Sequence, residues 1–186
     1  HEVSLQILDC VSNEDVMIQT MSDGIARVNA WQIPIMEKYN MGIYQSLYEE
    51  TATKVANISE YIRNSKTGFE KINMYFCNSE SRQRVYQQIS SLPIDFAFAE
   101  KSNLELSPLN VNKGNALEYI CTHLNIPISE TIAIGDAPND IPILKKAGLS
   151  IAMGNSSNEI KSLCTITVSD NDHDGCAEAI NNYLLV

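Results

Sequence analysis

The sequence predicts an α/β fold in which an α+β region, residues 1–103, precedes a parallel sheet formed within residues 104–186. Two observations support this prediction. After residue 103, short apolar strands alternate with amphipathic helices, which is the pattern of βαβ units. Before it, strand candidates follow one another in hairpin order without that alternation.

The first region begins with a helix and continues with a hairpin. Val16–Ile18 and Ile25–Val28 are strand candidates on either side of a Ser-Asp-Gly turn. Trp31–Tyr61 is predicted to be mainly helical, because apolar residues recur there at spacings of three and four. The remaining elements predicted in this region are a strand at 71–77, a helix at 79–90 and a strand at 96–99.

In the second region, Asn112 can cap a first helix, and Gly148 suits the position just after a later one. The predicted elements, in order, are a strand at 104–106, a helix at 113–124, a strand at 131–134, a helix at 142–147, a strand at 150–153, a helix at 158–164, a strand at 165–168 and a helix at 175–185. Helix 113–124 carries an apolar stripe that we expect to be buried; it is formed by Ala116, Leu117, Ile120, Cys121 and Leu124.

Charge and cysteine content exclude several classes of function. Thirteen basic against 23 acidic residues give a net charge of −10, which repels nucleic acids and anionic membranes. No apolar run approaches the roughly 20 residues of a bilayer span. The five cysteines are odd in number and form no Cys-x-x-Cys pair, which indicates reduced thiols. We therefore expect a cytoplasmic protein that binds neither nucleic acid nor membrane.

The segment Gly135–Asp140 (Gly-Asp-Ala-Pro-Asn-Asp) carries the strongest chemical signal, because it directly follows a predicted strand. Ligands bind at the carboxyl ends of strands in open α/β sheets. Two carboxylates with no His or Cys nearby suit Mg²⁺. A polar turn in which Asp140 caps the next helix accounts for the same residues without a ligand, and the residues alone leave both interpretations open.

Lys113 is the second candidate, because it stands at the start of a predicted helix, where anions are favoured. A lysine there can hold a phosphate as a point charge. A solvated surface lysine is the alternative interpretation.

Four segments taken together resemble a known family: Ser107–Leu117, Glu130–Asp140, Ala147–Asn155 and Val168–Ala177. In this order and spacing they are similar to the C-terminal core of haloacid dehalogenase (HAD) superfamily phosphatases, in the Cof-type branch with a C2B cap. The resemblance is dense over residues 104–186 and limited to element order before them. It implies a partial Rossmann-like HAD core with a parallel sheet, joined to an α+β cap domain of C2B type over residues 1–103.

The resemblance also implies a role for each candidate residue. Lys113 would be the catalytic lysine, which steadies the nucleophile and the substrate phosphate. Asp136 would bind Mg²⁺, Asp140 would support the metal shell or the lysine, and Asn139 would lie near the phosphate. The implied reaction is Mg²⁺-dependent hydrolysis of a small phosphorylated metabolite, such as a sugar phosphate, through an aspartyl-phosphate intermediate.

The sequence departs from the family in one respect: the family's nucleophile motif, Asp-x-Asp-Gly, has no counterpart before residue 104. Asp172–Gly175 has the same pattern but lies at the wrong end of the core. The chain therefore resembles a fragment that is inactive alone, and a non-catalytic module that binds metal or phosphate weakly is the alternative. The family's first core strand lies beside the strand Thr131–Ile134. Without it, we expect either self-association through that exposed edge or a poorly ordered core.

Overall fold

The computed structural model describes residues 1–99 and 102–185, and the chain divides into two compact units, His1–Leu109 and Asn110–Val186. The described strands of unit 1 form one six-stranded sheet in the order β3-β2-β1-β4-β6-β5. They are β1 (Val16–Ser22), β2 (Ile25–Asn29), β3 (Thr53–Val55), β4 (Lys71–Phe76), β5 (Ile94–Ala99) and β6 (Asn103–Pro108). Neighbouring strands are antiparallel, except that β2 and β3 are parallel.

Both faces of this sheet carry buried apolar side chains. One face packs against helices α1 (Glu2–Cys10), α3 (Ile58–Asn64) and α4 (Ser79–Ile89). The opposite face packs against the segment that runs from residue 30 through helix α2 (Gln45–Thr51). Unit 1 is therefore an α+β layer structure with its own core, as the sequence predicted.

The predicted long helix over Trp31–Tyr61 is wrong. Two 3₁₀ segments, Ala30–Tyr39 and Gly42–Tyr44, precede α2, and β3 separates α2 from α3. Pro34 cannot donate a backbone hydrogen bond inside the first segment, and Asn40 ends it with φ at 59°. Periodicity alone did not reveal these interruptions.

The predicted boundary between residues 103 and 104 also differs from the structure, which divides between Leu109 and Asn110. β6 forms antiparallel ladders with β4 and β5, so it belongs to the sheet of unit 1 and not to a parallel sheet. Leu104 and Leu106 are buried in the core of unit 1. The apolar spacing of this strand is equally compatible with both sheets, and only the pairing distinguishes them.

Unit 2 contains the expected parallel sheet, in the order β7-β8-β9. The strands are β7 (Ile132–Gly135), β8 (Leu149–Ala152) and β9 (Ile166–Thr167). The helices are α5 (Lys113–Leu124), α6 (Ile141–Lys146), α7 (Asn158–Leu163) and α8 (Gly175–Tyr183). One apolar cluster contains side chains of α6 and α7, and a second contains the α8 residue Ala179. The α/β class and the parallel sheet of the second region are confirmed.

The apolar stripe of α5, which we expected to be buried, is largely exposed in the structure. Cys121 is buried, but Ile120 and Leu124 are 52% and 57% exposed. α5 packs mainly against α6. Within the described residues, no helix combines the length and apolar character needed to cross a bilayer.

Candidate functional site

The candidate site lies in unit 2, where β7 ends. Gly135 is the last residue of β7, and a short 3₁₀ turn, Pro138–Asp140, follows it. A Cβ atom at Gly135 would lie 2.6 Å from Cβ of Asp140, closer than side chains pack. Glycine therefore lets the Asp140 side chain fold back against the end of the strand.

Asp140 is a buried carboxylate whose two oxygens are both occupied. Its Oδ1 accepts a hydrogen bond from Nζ of Lys113, with which it also forms an ion pair. Its Oδ2 accepts the backbone N–H groups of Asp136 and Ala137, at 3.0 and 3.2 Å. One side chain thus joins the turn after β7 to the first residue of α5.

These contacts determine the charge state of Asp140. Burial by itself would raise the pKa of this carboxyl. The hydrogen bonds from Lys113 and from the two backbone N–H groups outweigh burial and lower the pKa below its usual value. Asp140 is therefore a carboxylate at neutral pH and holds the Lys113 ammonium beside the turn.

Lys113 is held there by the local structure of α5. Asn112 caps the helix, its Oδ1 accepting the N–H of Asn115 at 3.0 Å. Gly114 permits close contact with α6, because a Cβ atom there would lie 2.4 Å from the carbonyl oxygen of Pro142. The Lys113 side chain is about half exposed, so its ammonium both contacts Asp140 and reaches solvent.

Asp136 is exposed and follows β7 directly. Its Oδ2 accepts a hydrogen bond of 2.8 Å from Nδ2 of Asn155. Oδ1 of Asn155 accepts the backbone N–H of Asn171 at 3.3 Å. Sequence reasoning assigned no role to Asn155; the available signal was its place just after β8, the neighbour of β7.

Asn139 lies in the same short turn as Asp140. Its Oδ1 atom is buried, with no hydrogen-bond partner among the described residues. An unsatisfied buried acceptor is uncommon in proteins, and this one belongs to the segment that carries both carboxylates. The structure thus brings Lys113, Asp136, Asn139 and Asp140 together at one end of the sheet, while their functional roles remain predictions.

The donor set at this site is compatible with Mg²⁺ but does not complete a coordination shell. Asp136 offers a carboxylate oxygen that accepts no hydrogen bond within the described residues, whereas the amide oxygen of Asn139 is buried. Both oxygens of Asp140 already accept hydrogen bonds, one of them from the Lys113 ammonium, which favours its support of Lys113 over metal ligation. Among the described residues, no group of three or more His, Cys, Asp or Glu side chains could hold a metal ion. Mg²⁺ commonly binds one or two carboxylates, with water and phosphate as its other ligands.

Residues 2–180 match the family of haloacid dehalogenase-like hydrolases. The chain belongs to this family. Phosphatase YwpJ of Bacillus subtilis strain 168 is 42% identical over 82 residues, which are 44% of this chain and 29% of YwpJ. The 5-amino-6-(5-phospho-D-ribitylamino)uracil phosphatase YcsE of the same strain is 29% identical over 109 residues, 58% of this chain and 44% of YcsE. These matches therefore span less than half the length of either relative.

Solved structures of the family share the fold over nearly the whole chain. A haloacid dehalogenase-like hydrolase from B. subtilis superposes with a TM-score of 0.83 at 21% identity, over 98% of this chain and 70% of its own. The sugar phosphatase BT4131 of HAD subclass IIB superposes with a TM-score of 0.80 at 17% identity, over 100% of this chain and 66% of its own. At these identities, the likeness establishes the HAD fold alone.

Proposed function

We propose that this chain supplies the phosphate-binding and metal-binding part of a phosphatase that hydrolyses small phosphate esters, sugar phosphates among them. The observation that carries the proposal is the link from Lys113 through Asp140 to the backbone of Asp136, at the carboxyl end of β7. A cation and an exposed carboxylate, that of Asp136, are thereby held at one strand end. Relatives named as phosphatases, and a solved sugar phosphatase of the same fold, support the substrate class.

In this proposal Lys113 neutralises charge on the phosphoryl group as the ester bond breaks. Asp140 keeps the lysine in place and forms no covalent bond to the substrate. Asn139 contacts the phosphate, and Asp136 is the principal metal ligand. When bound, Mg²⁺ would act as a Lewis acid on a phosphoryl oxygen.

The covalent step needs a nucleophile that we do not find among the 186 residues. We propose that it is an aspartate of the Asp-x-Asp-Gly type, which forms an aspartyl-phosphate as the alcohol leaves. Water then attacks the phosphorus, releasing phosphate and regenerating the carboxylate. On this proposal the 186-residue chain by itself is inactive.

A second candidate function is a non-catalytic module that binds phosphate or metal weakly. Two observations favour it: the nucleophile motif is missing before residue 104, and the described residues contain no group of three or more His, Cys, Asp or Glu side chains that could hold a metal ion. The two candidates differ in whether any form of the protein releases phosphate.

The test measures phosphate release from a panel of sugar phosphates with Mg²⁺ present. The 186-residue chain is compared with the product of its whole reading frame, whose intact mass shows whether further residues are present. We expect release only by a product that contains a further Asp-x-Asp-Gly segment besides Asp172–Gly175, and loss of that release in Asp136→Asn. Phosphate release by the 186-residue chain would show that the nucleophile lies within these residues. Lack of phosphate release by both proteins would favour the binding module.

We further propose a cytoplasmic location. All five cysteines are free thiols in the structure, which agrees with a reducing compartment.

A further inference from the structure

Unit 1 contains a cleft of about 470 Å³ that the phosphatase proposal does not use. The end of α1, strand β1, the segment around Trp31 and the start of α3 form its walls. Leu8, Val11 and Ile18 contribute buried apolar surface, and exposed polar side chains complete the lining. A cleft of this size falls within the range of roughly 300–1,000 Å³ typical of small-molecule sites.

The charged groups that line the cleft are paired. Glu14 accepts two hydrogen bonds from Arg84, at 2.9 and 3.0 Å, and Arg63 bonds Asp9 at 3.0 Å. Asp15 forms an ion pair with Lys38 and accepts the hydroxyl of Tyr39 at 2.9 Å. Since none of these charges is left without a partner, the cleft suits a neutral ligand better than an ion.

Two side chains at the cleft still offer unused hydrogen-bond donors. The Oδ1 atom of Asn57 caps α3 by accepting the N–H groups of Ser59 and Glu60, at 3.0 and 3.2 Å, so its Nδ2 group remains available. Trp31 is 57% exposed, and its indole N–H has no hydrogen-bond partner among the described residues. An exposed indole provides a broad apolar face together with one donor.

From this arrangement we propose that the cleft binds a neutral hexose ring. The apolar C–H face of the ring packs against the indole of Trp31, and its hydroxyl oxygens accept from Nδ2 of Asn57. Hydroxyl groups also donate, and the carboxylates of Glu14 and Asp15 keep lone pairs that can accept. A ligand with an apolar face and with hydroxyl groups that both donate and accept hydrogen bonds therefore matches the apolar and polar side chains of the cleft. The ligand needs no phosphate, so the proposal stands apart from the chemistry of unit 2.

The chain has a single tryptophan, which makes the test direct. The 186-residue chain is titrated with glucose, galactose and mannose while the Trp31 emission is recorded, and sorbitol at equal concentration corrects for solvent effects. We expect a saturable change with at least one hexose. Saturation-transfer NMR on that sugar provides a second readout, and its signal should be lost in Trp31→Ala.

Asn57→Asp is the decisive variant, because aspartate keeps the capping oxygens and removes the donor. We expect its hexose affinity to fall about fivefold or more, since the hydrogen bond from Nδ2 to the sugar is lost. Asn78→Asp is the matched control: Asn78 caps α4 in the same way, its Oδ1 accepting the N–H of Ser81 at 2.8 Å, and it lies outside the cleft. Its hexose affinity should equal that of the unaltered chain.

Three results would overturn the proposal. The first is the lack of both a saturable emission change and a transfer signal with every hexose. The second is equal hexose affinity in Asn57→Asp and Asn78→Asp. The third is saturable binding of adenosine or uridine in place of the sugars, which would assign the cleft to a heterocyclic base.

Discussion

Asn155 donates a hydrogen bond of 2.8 Å from its Nδ2 atom to Oδ2 of Asp136, so the loop after β8 orients the carboxylate that follows β7. The loop after β9 holds Asn155 in turn, because the backbone N–H of Asn171 donates to its Oδ1. A carboxylate oriented in this way loses less conformational freedom when it binds a cation. Residues that follow β8 and β9 thus orient the side chain that follows β7.

Asn155→Ala is expected to weaken Mg²⁺ binding, because loss of such an orienting contact typically weakens metal sites by about 10–100-fold. In the active protein, the Mg²⁺ concentration that gives half-maximal phosphate release should therefore rise about tenfold. The measurement is the rate of phosphate release as a function of Mg²⁺ concentration. Asn182→Ala, at an exposed position of α8, is the control and should leave this concentration unchanged. Identical Mg²⁺ dependence in the two variants would show that Asn155 has no orienting role.

Lys113→Met is expected to lower kcat/KM for phosphate esters by about 100-fold or more, the usual effect of removing one group that stabilises transition-state charge. Methionine keeps much of the side-chain volume and removes the ammonium that pairs with Asp140. The matched control is Lys146→Met, because Lys146 pairs with Glu118 rather than with the residues of the turn. Equal kcat/KM values for the two variants would assign Lys113 to structure alone.

The lowered pKa of Asp140 predicts a pH-dependent contribution to stability. Its pKa in the folded protein lies below the unfolded value of about 3.9, so the unfolded state takes up the proton first as the pH falls. The stabilisation is therefore complete above about pH 5 and is lost as the pH falls through the folded pKa.

Asp140→Asn should reduce the free energy of unfolding at pH 7 by about 1–3 kcal/mol, because asparagine replaces one of the two acceptor oxygens with an NH2 donor and removes the charge that pairs with Lys113. It should also flatten the decline of that free energy below pH 5. Urea unfolding of both proteins at several pH values measures the two effects. Asp172→Asn, at an exposed position, should behave like the unaltered chain. A parallel pH dependence in Asp140→Asn and the unaltered chain would refute this account.

The sequence was most informative where local pattern and tertiary structure agree. β7 and the turn after it could be predicted, because an apolar strand followed by Gly-Asp occurs at the carboxyl edge of parallel sheets. The Lys113–Asp140 pair spans 27 residues along the chain and was reached only through the family resemblance. Periodicity describes one element at a time and contains no information about such pairs.

Two differences follow from the same limitation. β6 was predicted as a strand of the second unit, whereas its partners β4 and β5 place it in the first. Asn155 received no role, because nothing in its own segment shows that its amide reaches Asp136. Both depend on which strands lie side by side, and strand order is a property of the whole fold.

β7 is an outer strand of the described three-stranded sheet. The carbonyl oxygens of Thr131 and Gly135 accept backbone N–H groups on the β8 side. Peptide groups alternate in direction along a strand, so those of Ile132 and Ile134 point away from β8. Within the described residues no strand pairs with them, and an unpaired edge is a template for another chain.

We therefore expect the 186-residue chain to self-associate in a concentration-dependent manner, as sedimentation velocity would measure. A variant in the exposed apolar stripe of α5 tests whether apolar contacts contribute to this self-association. Ile120→Lys should weaken the self-association, because it removes exposed apolar surface. The added positive charge acts in the opposite direction, since it reduces repulsion between chains of net charge −10. Any weakening therefore reflects lost apolar contact. Ile43→Lys, at a position 84% exposed in unit 1, adds the same charge elsewhere and should not weaken it. A monomer at every concentration, with slow amide exchange in β7, would mean that the β7 edge is protected in another way.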